Sequence, residues 1–268
     1  MDKLVSIVVP CFNQAEYLEE TIQSLLKQLY QNWECIIVND GSTDNSLNIA
    51  NNLASKDSRI FVIQQKNAGL SNARNKGIAK AKGEFILPLD ADDKISDNYI
   101  AVCVNHFLAD PSSSLVYGRG VKFGQINENW NLSHYSYDEL LFGNMIYCTA
   151  MFKKRDWENA EGYDANMIYG YEDWEFWVNI LNSTSKVVYD SSIIFFYRIR
   201  ENSMFSKMAI DQILLMRQYV YKKHAEKYNP YFIDPLSVYK NYNEIKNEYN
   251  RLFDNPIVYL KKYVKKLF

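Results

Sequence analysis

Over its first hundred residues the chain alternates short β-branched runs with amphipathic helical patterns, and few folds other than an α/β layer on a largely parallel sheet accept that alternation. Apolar runs at residues 5–9, 34–38, 60–64 and 84–89 predict four strands. Between them, residues 15–28, 44–54 and 70–81 carry apolar side chains at helical spacing; Leu18, Ile22, Leu25, Leu26 and Leu29 share one face of the first helix. Ser42 or Thr43 is the expected cap of the second helix, and Gly69 and Gly83 bound the third. Each strand runs into short polar residues: Cys11-Phe12-Asn13, Asn39-Asp40-Gly41, Asn67-Ala68-Gly69 and Asp90-Ala91-Asp92-Asp93. Open α/β sheets bind ligands outside the carboxyl ends of their strands, so these four clusters predict a single crevice.

The acidic run carries the most chemistry. Three carboxylates in four residues after a buried strand repel one another and call for a cation. Asp90 and Asp92, at i and i+2, would project to one side of an extended strand end and share a hard dication. Oxygen donors without nearby His or Cys favour Mg²⁺ or Mn²⁺. A solvated turn in which Asp92 or Asp93 caps the next helix is the alternative.

Asp40 can accept hydrogen bonds from a base imide or a ribose hydroxyl at the crevice rim, or close an Asx-turn at Gly41. Arg74 is placed either to fork onto a phosphate or base, or as a surface arginine. Glu172 and Asp173 follow Gly170 and open a helical stretch, where acids also suit the macrodipole. Around them Tyr169, Tyr171, Trp174 and Trp177 are candidate faces for a sugar ring, but Trp174, Trp177, Ile180 and Leu181 fit helical spacing, so most of this stripe is expected in the core.

From residue 95 to about 202 the pattern turns α+β: a helix over 97–109 capped by Ser96, a strand over 115–121, an apolar run over 145–152, the segment 162–181 and a strand over 193–198. Residues 1–204 hold 18 Lys and Arg against 26 Asp and Glu, while 205–268 hold 12 against 6, so a basic tail follows an acidic body. At its end Ile257, Leu260, Val264 and Leu267 oppose Lys261, Lys262, Lys265 and Lys266, the pattern of a helix lying on an anionic membrane, or of one packed on the body with its lysines in water. Cys11, Cys35, Cys103 and Cys148 form no CxxC and read as reduced core thiols of a cytoplasmic protein. No secretory leader is expected and no apolar run reaches the roughly 18 residues of a membrane span, so membrane contact would be peripheral. GxGxxG, the Walker loop, HExxH and GxSxG are absent, and the three histidines show no metal-ligand spacing.

Taken in order and spacing, Val5-Ser6-Ile7-Val8-Val9-Pro10-Cys11-Phe12-Asn13, Asn39-Asp40-Gly41-Ser42-Thr43-Asp44, Asn67-Ala68-Gly69 through Arg74-Asn75, Asp90-Ala91-Asp92-Asp93 and Glu172-Asp173-Trp174 resemble family 2 inverting glycosyltransferases of the GT-A fold, over about residues 3–204. The resemblance implies a Rossmann-like, mostly parallel sheet flanked by helices, with residues 1–100 as the nucleotide-sugar half, 101–204 as the acceptor half carrying the base, and 205–268 as a helical, basic extension. It implies a base pocket of Pro10, Phe12, Asn13, Asp40, Asn67 and Gly69 with Arg74 nearby, and Asp90 and Ala91 by the ribose. Asp92, with Asp90, would hold Mn²⁺ or Mg²⁺ on the diphosphate; Asp173 would be the base, beside Glu172. Members often carry Tyr-Arg-x-His at the end of the late strand, whereas this chain reads Tyr197-Arg198-Ile199-Arg200. Arg198 or Arg200 would then neutralise the leaving diphosphate, or stand as exposed strand-end arginines.

The expected partners are a nucleotide diphosphate sugar, UDP forms first, and a saccharide or lipid-linked saccharide acceptor in cell-surface polysaccharide or glycolipid synthesis, with no nucleic acid. A sugar-1-phosphate nucleotidyltransferase would need a Gly-rich basic loop where Cys11-Phe12-Asn13-Gln14 stands. A catalytically silent carbohydrate-binding protein of the same fold is the remaining alternative.

Overall fold

The four apolar runs form strands β1 (Val5–Cys11), β2 (Trp33–Asp40), β3 (Ile60–Gln65) and β4 (Phe85–Pro88) in a computed structural model that describes residues 3–132, 134–201, 208–231 and 234–254. They pair in parallel in the order β3-β2-β1-β4. β1 and β2 are buried along their whole length, which is why their sequences lack alternation, whereas the edge strand β3 mixes buried and exposed positions. The crossovers contain α1 (Leu18–Leu26), α2 (Ser46–Lys56) and α3 (Leu70–Lys80). The expected cap of α2 is corrected: the helix begins at Ser46, whose amide donates to Asp44 Oδ1 at 2.9 Å, while Ser42 Oγ accepts from the amide of Asn13.

The second half adds β5 (Lys94–Ile95), α4 (Tyr99–Ala109), β6 (Ser113–Gly124), β7 (Glu128–Trp130), α5 (Tyr137–Leu140), β8 (Met151–Lys153), α6 (Lys154–Asn159), α7 (Glu172–Ile180) and β9 (Lys186–Ile199). These strands continue the sheet as β4-β8-β6-β9-β5, with β8 antiparallel to both neighbours and β6 parallel to β9. The apolar run 145–152 contributes only its last residues to β8, because β6 turns to the hairpin partner β7 at Gly120–Lys122. Ser96 does not cap α4 through its hydroxyl; that oxygen accepts from the amide of Ile194 on β9, and the first turn of α4 is held by the Ser96 carbonyl.

The tail is helical where it is described: α8 (Ile210–Lys223), α9 (Ala225–Tyr228), a 3₁₀ turn (Asn229–Tyr231) and α10 (Pro235–Asp254). The basic amphipathic pattern at Ile257, Leu260, Val264 and Leu267 lies outside the described residues. Two compact units divide the chain, residues 1–222 and 223–268. Among the described residues no helix is long and apolar enough to cross a membrane. All four cysteines are free thiols.

The approach of α3 to the sheet depends on Gly77. A Cβ there would stand 2.4 Å from Val8 Cγ1 and 3.0 Å from Val38 Cγ2, two stiff β-branched side chains of the central strands. Gly77→Ala is therefore expected to destabilise the fold by about 1–3 kcal/mol despite alanine's better helix propensity, measured by urea denaturation.

Candidate active site

At the carboxyl ends of the parallel strands, side chains of short reach lace neighbouring loops together. Asn13, in the left-handed region at φ 53°, accepts the amide of Thr43 on Oδ1 at 2.8 Å. Asp40, buried at the end of β2, accepts from Gln65 Nε2 at 2.7 Å and from the amides of Ala68 and Gly69 at 2.8 and 2.9 Å. Its carboxylate thus orders the loop between β3 and α3 instead of closing an Asx-turn on Gly41. Gly41 has φ 72°, and a Cβ there would come within 2.7 Å of the Asn67 amide nitrogen, so the β2 and β3 loops meet only because this position is glycine. Gly69, at φ 88°, and Asn67 are exposed on this rim, Pro10 is buried behind it, and Phe12 is 45 % exposed.

The acidic run is a turn and not an extended strand end. β4 stops at Pro88, and the amide of Asp93 donates to the carbonyl of Asp90 at 3.0 Å. The strand alternation that would have put Asp90 and Asp92 on one side therefore does not apply, and each of the three carboxylates has a different principal partner. Asp92 Oδ2 meets Arg200 Nη2 at 3.0 Å. Asp93 accepts the amide of Arg198 on Oδ1 at 2.7 Å, and its buried Oδ2 has no hydrogen-bond partner. Asp90 Oδ1 meets Arg74 Nη2 at 2.7 Å, while Cys148 Sγ lies 3.7 Å from Asp90 Oδ2. Burial pushes the Asp92 carboxyl above its ordinary range against the pull of Arg200, with Asp90 adding to the rise. Asp93 is pushed well above it, by burial first and then by the charges of Asp92 and Asp90.

Both arginines at the end of β9 are engaged, which corrects their reading as exposed. Arg198 donates through Nε to the carbonyl of Asp92 and pairs through Nη2 with Glu20 on α1, and Tyr17 lies beneath both guanidiniums at 4.6 and 5.4 Å. Arg74 is likewise no surface residue. It is 0 % exposed, its Nη1 donating to Glu172 Oε1 and its Nη2 to Asp90 Oδ1. The acid turn and the Glu172-Asp173 pair are thereby joined through one buried guanidinium.

α7 presents that pair after Gly170 at φ 123° and Tyr171 at φ 63°, a left-handed conformation that a tyrosine adopts at a cost. Asp173 accepts from Asn144 Nδ2 at 2.9 Å and from the amide of Trp174 at 2.7 Å. Burial, and then the negative charge of Glu172, raise its pKa to about 7 against the opposing pull of Arg74. Trp174 and Trp177 belong to the core, the former donating Nε1 to the carbonyl of Leu140, so neither offers a face to a sugar. Trp130, Tyr147 and Tyr197 form a separate aromatic cluster, with both neighbours' ring centroids 4.8 Å from that of Trp130; of the three, Tyr197 has its phenol pushed up by burial and then by the charge of Asp93 in the acid turn. Asn144 and Trp130 sit in a loop and a short strand with no motif around them and are not legible as site residues in the sequence, while Cys148, expected as a core thiol, is half-buried and reaches Asp90.

A dication fits the chemistry of the acid turn: carboxylate oxygens, one of them buried without a partner, with two carboxyls whose proton affinity is raised. Asp90, Asp93 and Cys148 each offer a ligand atom within 4.8 Å of the others, while Asp92 faces Arg200.

The family model "Glycosyl transferase family 2" matches residues 6–176. Glycosyltransferase GlyG of Streptococcus pneumoniae serotype 4 is 46% identical over 101 residues, 37% of this chain and 34% of that protein. The chain spans about a third or less of the length of the first curated relatives it matches. S. aureus TarS 1-349, solved in complex with UDP-GlcNAc, superimposes with a TM-score of 0.66 at 20% identity, covering 80% of this chain and 65% of that one. The mannosyltransferase PcManGT of Pyrobaculum calidifontis, solved with GDP-Man and Mn²⁺, gives a TM-score of 0.57 at 19% identity, covering 82% and 69%.

Replacing Arg74 by Met would leave Asp90 and Glu172 facing one another without their shared cation. Equilibrium denaturation is expected to show a loss of about 3–5 kcal/mol, the scale for breaking a buried ion pair from one side.

Proposed function

This chain belongs to glycosyl transferase family 2 and has the GT-A fold, and we propose that it is an inverting transferase moving a sugar from a UDP-sugar to a hydroxyl of a saccharide or lipid-linked saccharide, in cell-surface polysaccharide or glycolipid synthesis at the cytoplasmic face of the membrane. The observation that carries the reading is Asp173. Its carboxyl has a proton affinity raised to about 7, it is aimed by Asn144, and it is tied through Glu172 and Arg74 to the acid turn. A base with that affinity removes a hydroxyl proton near neutral pH, where general-base efficiency is greatest.

Donor recognition starts from the rim. Asp40 accepts three hydrogen bonds, and an ionised carboxylate has about four acceptor sites, which leaves room for one more donor such as a base imide. Phe12 offers an exposed face beside it, with Pro10, Asn13, Asn67 and Gly69 completing the pocket. Asp90 and Ala91 lie toward the ribose in this reading. Arg74 keeps Asp90 and Glu172 in place and does not itself grip phosphate. Arg198 and Arg200 stand over the turn, where their charge would face the diphosphate. Asp90 and Asp92, joined by Asp93, would hold Mn²⁺ or Mg²⁺, and an ion bound there would offset the negative charge of the departing nucleoside diphosphate. The acceptor oxygen, relieved of its proton by Asp173, attacks the anomeric carbon from the face opposite the diphosphate, so a single displacement inverts the configuration.

Asp173→Asn is expected to lower turnover by about 10²- to 10⁴-fold in an assay of nucleoside diphosphate release, with donor affinity unchanged by calorimetry. Loss of donor affinity at normal turnover would reject the assignment. The second reading, a silent carbohydrate-binding protein, draws on the neutralisation of Asp92 by Arg200. It would prevail if no UDP-sugar were turned over with either Mn²⁺ or Mg²⁺.

The pH dependence follows from sign. Below about 7 Asp173 holds its proton and cannot act as base, so kcat/KM should rise with pH through a limb centred near 7. Because Glu172 contributes negative charge that raises Asp173, Glu172→Gln should move the limb to lower pH; a limb unmoved or shifted upward would contradict the electrostatic account.

A further inference from the structure

At the opposite end of the sheet from the crevice, where β1 and β4 begin and β8 ends, lies a cavity of about 390 Å³, within the size range of small-ligand sites. Five cationic side chains line it, Lys3, Lys82, Lys153, Lys154 and Arg155, against the two carboxylates of Glu84 and Glu158. That excess stands out in a body where acids outnumber bases by 26 to 18 over residues 1–204. Only Lys3 and Glu84 form a close pair; Lys154 reaches Glu158 at 3.9 Å and donates to the carbonyl of Ala81.

Lys153 is the unusual member. It is 7 % exposed, and its Nζ donates to the carbonyls of Pro111 and Ser113, both at 2.6 Å, beside the ring of Phe107 at 5.4 Å. Among the described residues no carboxylate lies within ion-pair range of it. An ammonium has three N–H donors, so one remains beyond the two carbonyls. A buried charge without a counter-ion is costly, and an anion in the cavity would supply what the fold does not. Lys82 extends over the ring of Phe61 with no carboxylate in range among the described residues, and Arg155, 69 % exposed on its side chain, has only its chain neighbour Asp156 at 3.7 Å.

We propose that this cavity binds a phosphate group, carried by a soluble phosphate ester or by the head group of an anionic lipid. Several cationic donors, a guanidinium fork among them, suit the multiple oxygens of a phosphate group, monoester or diester, better than the two oxygens of a carboxylate. The site lies apart from the transfer crevice and its occupancy is independent of Asp90 and Asp173.

The test uses the full chain at low ionic strength. Inorganic phosphate and pyrophosphate are titrated by calorimetry, and vesicles of phosphatidylcholine with and without phosphatidylglycerol are tested by co-sedimentation. Saturable binding of the soluble phosphates assigns a soluble ligand, and binding only to phosphatidylglycerol vesicles assigns a lipid; either supports the site provided two variants weaken it. The double variant Lys82→Glu with Arg155→Glu, on exposed side chains, should weaken the observed binding about tenfold or more. Lys153→Met, which keeps the stem of the side chain, should fold and lose the rise in Tm that phosphate gives the parent protein. Absence of binding to every probe, or equal binding by parent and both variants, would overturn the proposal.

Discussion

One buried guanidinium holds the two halves of the crevice together. Arg74, on α3, joins Asp90 at the end of β4 to Glu172 at the start of α7, a residue 98 positions further along the chain. Without that cation two carboxylates would share a poorly solvated space, where their repulsion is weakly screened. With it, three elements that have no backbone ladder in common are set in one geometry. The same ion pairs tune Asp173, whose proton affinity rises with the charge of Glu172 and falls with that of Arg74.

A second cationic layer lies over the acid turn. β9 runs parallel to β6 and delivers Arg198 and Arg200 above residues 92 and 93, where Tyr17 and Glu20 of the first crossover receive them. The chain therefore departs from the Tyr-Arg-x-His pattern in a specific way. A histidine would offer a neutral ring nitrogen to a metal, whereas Arg200 brings a permanent charge that already opposes Asp92. The three aspartates are thereby distributed: one to Arg74, one to Arg200, one to the backbone of β9.

Sequence reading succeeded where the physics is local. β1 and β2 are apolar along their length because both faces are covered, and the short polar residues that follow them must lie at strand ends, which is enough to locate the crevice. It failed where a side chain's partner is distant. Arg74 looks like a surface residue in a lysine- and asparagine-rich helix, yet it is fully buried, whereas Trp174 and Trp177, whose spacing is local, pack inside as the core stripe predicts.

The sequence by itself determined the parallel half of the sheet, the order of its loops and the family to which the chain belongs, since hydrophobic periodicity and motif spacing are properties of neighbouring residues. Tertiary structure alone decided that residues 90–93 turn back on themselves, that Asp92 faces an arginine, that Asn144 and Cys148 reach the acids, and that Lys153 is buried against two carbonyls with no carboxylate in ion-pair range among the described residues. Those outcomes depend on pairings across tens of residues, whose energies come from burial and charge compensation in the assembled fold and leave no trace in any local pattern.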